Sequence, residues 1–359
     1  MQIEKKYSYT QRTDDTILAS TLSNTDEIVM VLSNGDVTRH NFQTDKTTLV
    51  STLQDSMGYT DDGFDLTAPI SIYTLDDIIV IVNDFKRHGY IINPKQEYRL
   101  HLWRGDYYAN ITKYPIALYK DANEIPHIIY ADDWNHVQIM NLDTRQVLTA
   151  AKSLIEDAAE EKHIEFYKTH KEHNKLAWPS TYDYFYGKLL LSPNHQYFAS
   201  VGWVWGSFDC INAYDVDNFI TNPRIQDIIV HGGEHESRQI CWVSNNILAV
   251  EHSPYTEEEE EATEDTLDEI HLYLLEENKA TLLDKIQLQD KAIQYNAMYF
   301  DAILDAFVLV NSDEGVYIVS KNGEVLHQDH TIRTYIYNTT SQQFLSCNEK
   351  GVSIYDLKL

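Results

Sequence analysis

KLLLSPNHQYFASVGWVWGSFDCINAYDVD, Lys188 to Asp217, is the stretch whose reading decides the fold. It breaks into three extended segments. Leu189 to Leu191 is apolar and closes at Ser192-Pro193-Asn194, where proline fixes φ and asparagine tolerates left-handed geometry. Tyr197 to Trp203 is rich in aromatic and small apolar residues and stops at Gly206-Ser207. From Cys210 to Val216 the residues alternate, with Cys210, Asn212, Tyr214 and Val216 on one side and Ile211, Ala213 and Asp215 on the other, the period of a strand. The stretch is a β-meander.

The meander recurs along the chain. Analogues of its third strand are GDVTRHNF from Gly35, HGYIINPK from His88, HVQIMNLD from His136, EIHLYLLE from Glu269, GVYIVSKN from Gly315 and GVSIYDLK from Gly351, which makes seven with CINAYDVD from Cys210. A second apolar run precedes each, among them EIVMVLS at Glu27, IIVIVND at Ile78 and FVLVNSD at Phe307. Most have a run before that and a variable fourth after it, such as YRLHLWR at Tyr98 and QVLTAAK at Gln146. Four antiparallel strands per unit, repeating every roughly 40 to 50 residues, predict the blades of a propeller. The last unit runs out after its third strand, whereas Gln2 to Thr10 alternates and belongs to no complete unit. The N-terminal segment is therefore expected to supply the outermost strand of the last blade and remove a free edge. The expectation is an all-β, seven-bladed β-propeller occupying residues 1–359 as one domain.

The repeat resembles the WD-repeat and YVTN-like seven-bladed propellers. Ser192-Pro193 and Tyr214-Asp215-Val216 sit where those families place a turn and a terminal aromatic-Asp, echoed by Tyr355-Asp356-Leu357 and Asn141-Leu142-Asp143. No Gly-His opens the units and no Trp-Asp recurs, so the resemblance implies the architecture alone, and that architecture hosts many functions.

Charge narrows the partners. With 56 acidic against 28 basic residues the formal charge is -28, which repels nucleic acid and anionic lipid. The N-terminus lacks the apolar core of a secretion signal and no run is long enough to span a membrane, so a cytoplasmic protein is expected. Cys210, Cys241 and Cys347 are odd in number and set in apolar runs, which reads as buried small hydrophobes rather than a disulfide framework.

Successive strands alternate direction, so connections from second to third strand and from fourth strand to the next blade open on one face of the ring. The long connections, 55–68, 104–114, 151–187, 222–237 and 253–268, are all expected on that face, as working loops on a rigid scaffold. Within 151–187, Leu154, Ile155, Ala158, Ala159 and Phe166 fall at helical spacing and predict an amphipathic helix of roughly four to five turns, as a lid or a docking element. The 253–268 loop continues into a run with nine acids between Glu257 and Glu269, including Glu257, Glu258 and Glu259, a solvated loop or a recruiter of basic surface.

The candidate binding residues are the aromatics Trp103, Tyr107, Trp134, Trp178, Tyr182, Tyr184 and Trp205 with those three glutamates, since rigid rings anchor interfaces and line apolar pockets. His231, Glu234 and His235 fit H-x-x-E-H, but two adjacent glycines oppose the helix such a zinc site needs, and a Gly-rich turn is expected instead. Asp61-Asp62-Gly63-Phe64-Asp65 lacks calcium-loop spacing. No cofactor is expected, and no nucleophile triad or phosphate loop appears. The one-sided insertions and the acidic charge point to a non-enzymatic protein-binding propeller, with an immunity- or antitoxin-like role toward a basic partner as its specific form. The competing expectation is an enzyme or small-ligand binder with its pocket at the mouth of the central channel, beneath the 151–187 insertion.

Overall fold

The computed structural model describes residues 1–53, 63–170, 181–206, 208–233, 238–252, 267–290, 293–334 and 336–358. They form a seven-bladed ring. In chain order the blades are Ile17–Asn24, Glu27–Leu32, Asp36–Asn41 and Lys46–Thr52; Ile70–Leu75, Ile78–Asn83, His88–Asn93 and Tyr98–Trp103; then the three-stranded Ile116–Lys120, Pro126–Asp133 and His136–Asn141. Blade four is Phe185–Leu191, Tyr197–Val204, Phe208–Asp215 and Ile228–Gly233, and blade five Ile240–Trp242, Ile247–His252, Glu269–Glu276 and Lys279–Gln287. Blade six is Ala297–Asp301, Ala306–Asn311, Gly315–Ser320 and Val325–Asp329. Blade seven takes Ile336–Asn338, Gln343–Asn348 and Gly351–Lys358 from the C-terminal end and Gln2–Thr10 from the N-terminal end.

Burial follows strand order. The second and third strands of blade two are buried along their whole length, which is why they read as continuous apolar runs. The outer strand of blade one, Lys46–Thr52, is mostly exposed and correspondingly polar. The core is divided between blades: Val29, Val31 and Val37 of blade one pack against Ile79, Ile81 and Tyr90 of blade two. The ring closes by the same packing, with Ile28 and Met30 of blade one against Leu345, Val352 and Ile354 of blade seven.

The N-terminal strand completes the last blade as expected. It runs antiparallel to the third strand from Gln2↔Lys358 to Thr10↔Gly351, with one bulge between Lys5 and Tyr7. Tyr7 stacks on Phe42 at 4.7 Å and donates its hydroxyl to Asp26, tying this strand to blade one. An ion pair between Lys358 and Glu4 reinforces the far end.

Four local expectations need correction. Among the described residues blade three has no fourth strand: after the turn at Asn141, Val147 bridges back to Met140, Leu148 N donates to Ile139 O, and Thr149 bonds Gln138 through its side chain before the chain leaves the sheet. The helix in the insertion, α1, is shorter than its apolar spacing suggests and covers Ala159–Thr169. Leu154 and Ile155 are held extended, Leu154 O accepting from Tyr182 N and Ile155 bridging Thr181, and Ala158 at φ 54° stops the helix from extending backwards. A second helix, α2, Val216–Thr221, takes the place of the last residue expected in the third strand of blade four, because Asp215 caps it by accepting from Asn218 N. Finally, Cys347 is exposed, whereas Cys210 and Cys241 are buried, and all three are free thiols.

The connections do not all share one face. Residues 222–227 join the third and fourth strands of blade four, so they lie on the opposite face from the blade-to-blade loops. The start of the 151–187 insertion is fastened to them: Ser153 N donates to Pro223 O, Lys152 Nζ to Asn222 O, and Arg224 pairs with Glu160 of α1. The insertion buttresses the outer edge between blades three and four.

Candidate binding face at the channel mouth

On the blade-to-blade face, six rings from three segments touch. Tyr107 and Tyr108 come from the blade two to blade three connection, Trp134 from the second turn of blade three, and Phe185, Trp203 and Trp205 from the two inner strands of blade four and the turn after them. Phe185 stacks on Trp203 at 3.7 Å and tilts against Trp134 at 4.2 Å. Tyr107 lies 5.8 Å from Trp134 and 6.0 Å from Trp205, and Tyr108 lies 5.3 Å from Trp203. Phe185 is fully buried, whereas Tyr107 and Trp205 remain 45% and 47% exposed. The inner rings support the outer ones, which face solvent as rigid apolar surface.

The loop carrying Tyr107 and Tyr108 is organised by a residue for which the sequence offers no signal, Arg104. Its buried guanidinium donates to the backbone oxygens of Lys86 at 2.8 Å, Ala109 at 2.9 Å and Thr112 at 2.7 Å, and it stacks over the Tyr114 ring at 4.6 Å. Burial lowers its pKa to about 10. Tyr108 takes a left-handed φ of 54°, held where Thr112 Oγ1 donates to Tyr108 O. Trp103, also exposed, sits at the end of the outer strand of blade two with the Arg87 guanidinium 4.9 Å above its ring.

Carboxylates flank these rings. Asp133 accepts from Trp134 N at 2.8 Å, Asp106 precedes Tyr107 and is exposed, and Asp183 accepts from the Trp205 backbone. Burial, then Glu156, raises the Asp183 pKa, and the Trp205 bond partly offsets both.

Of the other candidate residues, Tyr182 and Tyr184 are core residues. They are 6% and 0% exposed, and their hydroxyls are consumed internally, Tyr182 on Tyr214 and Asp227, Tyr184 on the backbone oxygens of Ser200 and Cys210. A buried hydroxyl needs such partners, so these tyrosines cannot be surface anchors. Trp178, Glu257, Glu258 and Glu259 lie outside the described residues, as do Asp61 and Asp62 of the faint calcium-like string.

His231 does not sit in a Gly-rich turn but in the outer strand of blade four, Ile228–Gly233, which excludes the helical pairing of H-x-x-E-H; Glu234 and His235 lie outside the described residues. The structure brings it instead to blade five. Its Nδ1 is 3.0 Å from Tyr273 Oη, and its ring is 6.2 Å from His252. His252, Glu269 and His271 present ligand-type atoms within 4.8 Å of one another. Yet Glu269 already pairs with His271 at 2.8 Å, and the Arg238 guanidinium lies 3.3 Å from His252 Nδ1. A cation placed there would meet a guanidinium, so the group fits a histidine–carboxylate pair capped by arginine better than a metal centre.

Inside the aromatic rim a cavity of about 650 Å³ opens at the mouth of the central channel. Trp203, Trp205 and Tyr108 form part of its wall, and Lys113, Lys188, Asp209 and Arg238 bring charges to it from blade four and the connections beside blades three and five. Among the described residues of the 151–187 insertion, only Gly187 lines it, so α1 is not a lid over this cavity.

No helix among the described residues is long and apolar enough to cross a membrane. No protein-family model matches the chain and no curated protein matches it, so the function rests on the chemistry of this face.

Proposed function

We propose that the chain is a binding module that docks a protein partner on the aromatic face around the channel mouth, the partner presenting lysine or arginine among aliphatic residues. The observation that supports this most directly is the placing of carboxylates beside the rings: Asp106 next to half-exposed Tyr107, Asp133 on the backbone N–H of partly buried Trp134, and Asp183 on the backbone of half-exposed Trp205. An exposed ring attracts a cation over its face, worth about 0.5 to 1 kcal/mol at such sites, and a neighbouring carboxylate adds attraction of the same sign. The net charge of -28 extends that preference over the molecule and speeds encounter with a basic surface. A basic toxin neutralised by an immunity-like protein is the specific partner class this charge favours.

Affinity capture from extracts of the native cells at low salt tests the reading, with wild type, Tyr107→Ser and Asp106→Asn as baits. A protein held by wild type and lost from both variants supports it. The same set of proteins on all three baits contradicts it.

A further inference from the structure

The inner strand of blade four carries a lysine that the fold has gone to some length to place. Between Phe185↔Trp203 and Lys188↔Val201 the strand holds one residue more than its partner, a bulge that re-aims the next side chain along. The bulge requires glycine on both sides: a Cβ on Gly187 would come within 2.0 Å of Val201 O, and one on Gly202 within 2.2 Å of Phe185 O. The side chain so re-aimed is Lys188, on the wall of the channel-mouth cavity.

Lys188 Nζ has no hydrogen-bond or ion-pair partner among the described residues. The other cations of the cavity are engaged, Lys113 with Asp84 at 3.5 Å and Arg238 with Glu251 O at 3.2 Å. An enclosed ammonium without a counter-charge is costly, and an arriving anion removes that cost.

We propose that this cavity is a receptor site for a small organic monocarboxylate carrying a ring, with Lys188 binding the carboxylate and Trp203, Trp205 and Tyr108 enclosing the ring. The volume of about 650 Å³ falls within the roughly 300 to 1,000 Å³ of small-molecule sites. The chemical class is set by the wall: one unpaired cation balances one negative charge, and Asp209 on the same wall opposes a dianion such as phosphate. Burial, then the nearby Lys113, lowers the Lys188 pKa to about 8, which agrees with an ammonium still charged at neutral pH and in want of an anion.

This inference shares Trp205 with the docking face and differs from it in Lys188, which lines the cavity while Tyr107 does not. The test is a calorimetric titration of the full chain at pH 7 with phenylacetate and with its neutral isostere phenylacetamide, repeated with tryptophan fluorescence as the readout. Saturable one-site binding of phenylacetate is expected, about ten- to a hundredfold tighter than the amide, the worth of a charge-assisted hydrogen bond. Lys188→Met abolishes the preference and Lys188→Arg retains part of it. Absence of saturable binding by wild type, equal binding of acid and amide, or a preference that survives Lys188→Met in a folded variant overturns the proposal. If Lys188→Met does not fold, Lys188→Gln replaces it under the same criterion.

Discussion

Phe185 and Trp203 are register partners in the two inner strands of blade four, and their rings stack with planes 6° apart and centroids 3.7 Å apart. That stack is the floor on which the exposed rings of the channel mouth rest. Phe185→Ala is expected to cost about 3 to 5 kcal/mol in urea unfolding, as for other large buried aromatics. In a double-mutant cycle with Trp203→Ala the coupling is expected at about 0.5 to 1.5 kcal/mol. A coupling of zero would mean that the two rings are placed independently.

Ring closure has its own signature. Removing residues 2–10 strips the outer strand from blade seven and leaves Gly351–Lys358 unpaired on its outer edge, its other edge still paired with Gln343–Asn348. The truncated chain is expected to unfold at lower temperature and to associate through that open edge, read by thermal scanning and light scattering. A monomer with an unchanged melting temperature would show that the strand is an appendage.

Asp301 is fully buried and accepts from Tyr337 Oη at 2.6 Å, from Gln342 Nε2 at 3.1 Å and from the backbone N–H groups of Ile303 and Leu304. It joins blade six to blade seven, the blade that closes the ring. Tyr337→Phe removes one charge-assisted bond and is expected to lower stability by about 1.5 to 3 kcal/mol in urea unfolding. No loss would mean that the remaining donors satisfy the carboxylate alone.

Lys188 and Lys152 each have a pKa lowered by burial to about 8, against an ordinary value of 10.5. Between those values the unfolded chain binds more protons than the folded one at these two sites, so they add stability as pH rises from about 8, until thiol ionisation in the unfolded chain, at Cys210 and Cys241 whose folded pKa values burial raises, opposes them near 9. Lys113 adds repulsion at Lys188, and the Cys241 thiol, whose own pKa burial raises, adds a smaller opposite effect. Melting temperatures from pH 7 to about 8.5 should climb in wild type and climb less in Lys188→Met. Equal slopes would place Lys188 in open solvent.

The ring was legible because its evidence is local and repeated: short apolar runs, turn residues between them, and an unassigned alternating segment at the start to match an unfinished unit at the end. The candidate face was legible only in part. Tyr107, Trp134 and Trp205 came together as their loops implied, but Tyr182 and Tyr184 look the same in sequence and turn inward, because hydroxyl partners such as Asp227 and Ser200 O are supplied from distant strands. Arg104 and Lys188 could not be singled out, since one acts through backbone carbonyls and the other through a bulge, and neither leaves a motif. The side on which a long connection lies was misjudged wherever a strand was miscounted, as at blade three and at residues 222–227.

The most direct measurement of the central claim, that the blade-to-blade face is the docking face, is a comparison of two photo-crosslinking side chains. One replaces Tyr107, and the other replaces Asn322, an exposed residue in the turn between the third and fourth strands of blade six, on the opposite face. Illuminated in extracts of the native cells, the variant at 107 is predicted to form a discrete adduct that high salt suppresses, and the variant at 322 to form none. An adduct at 322 with none at 107 would contradict the account.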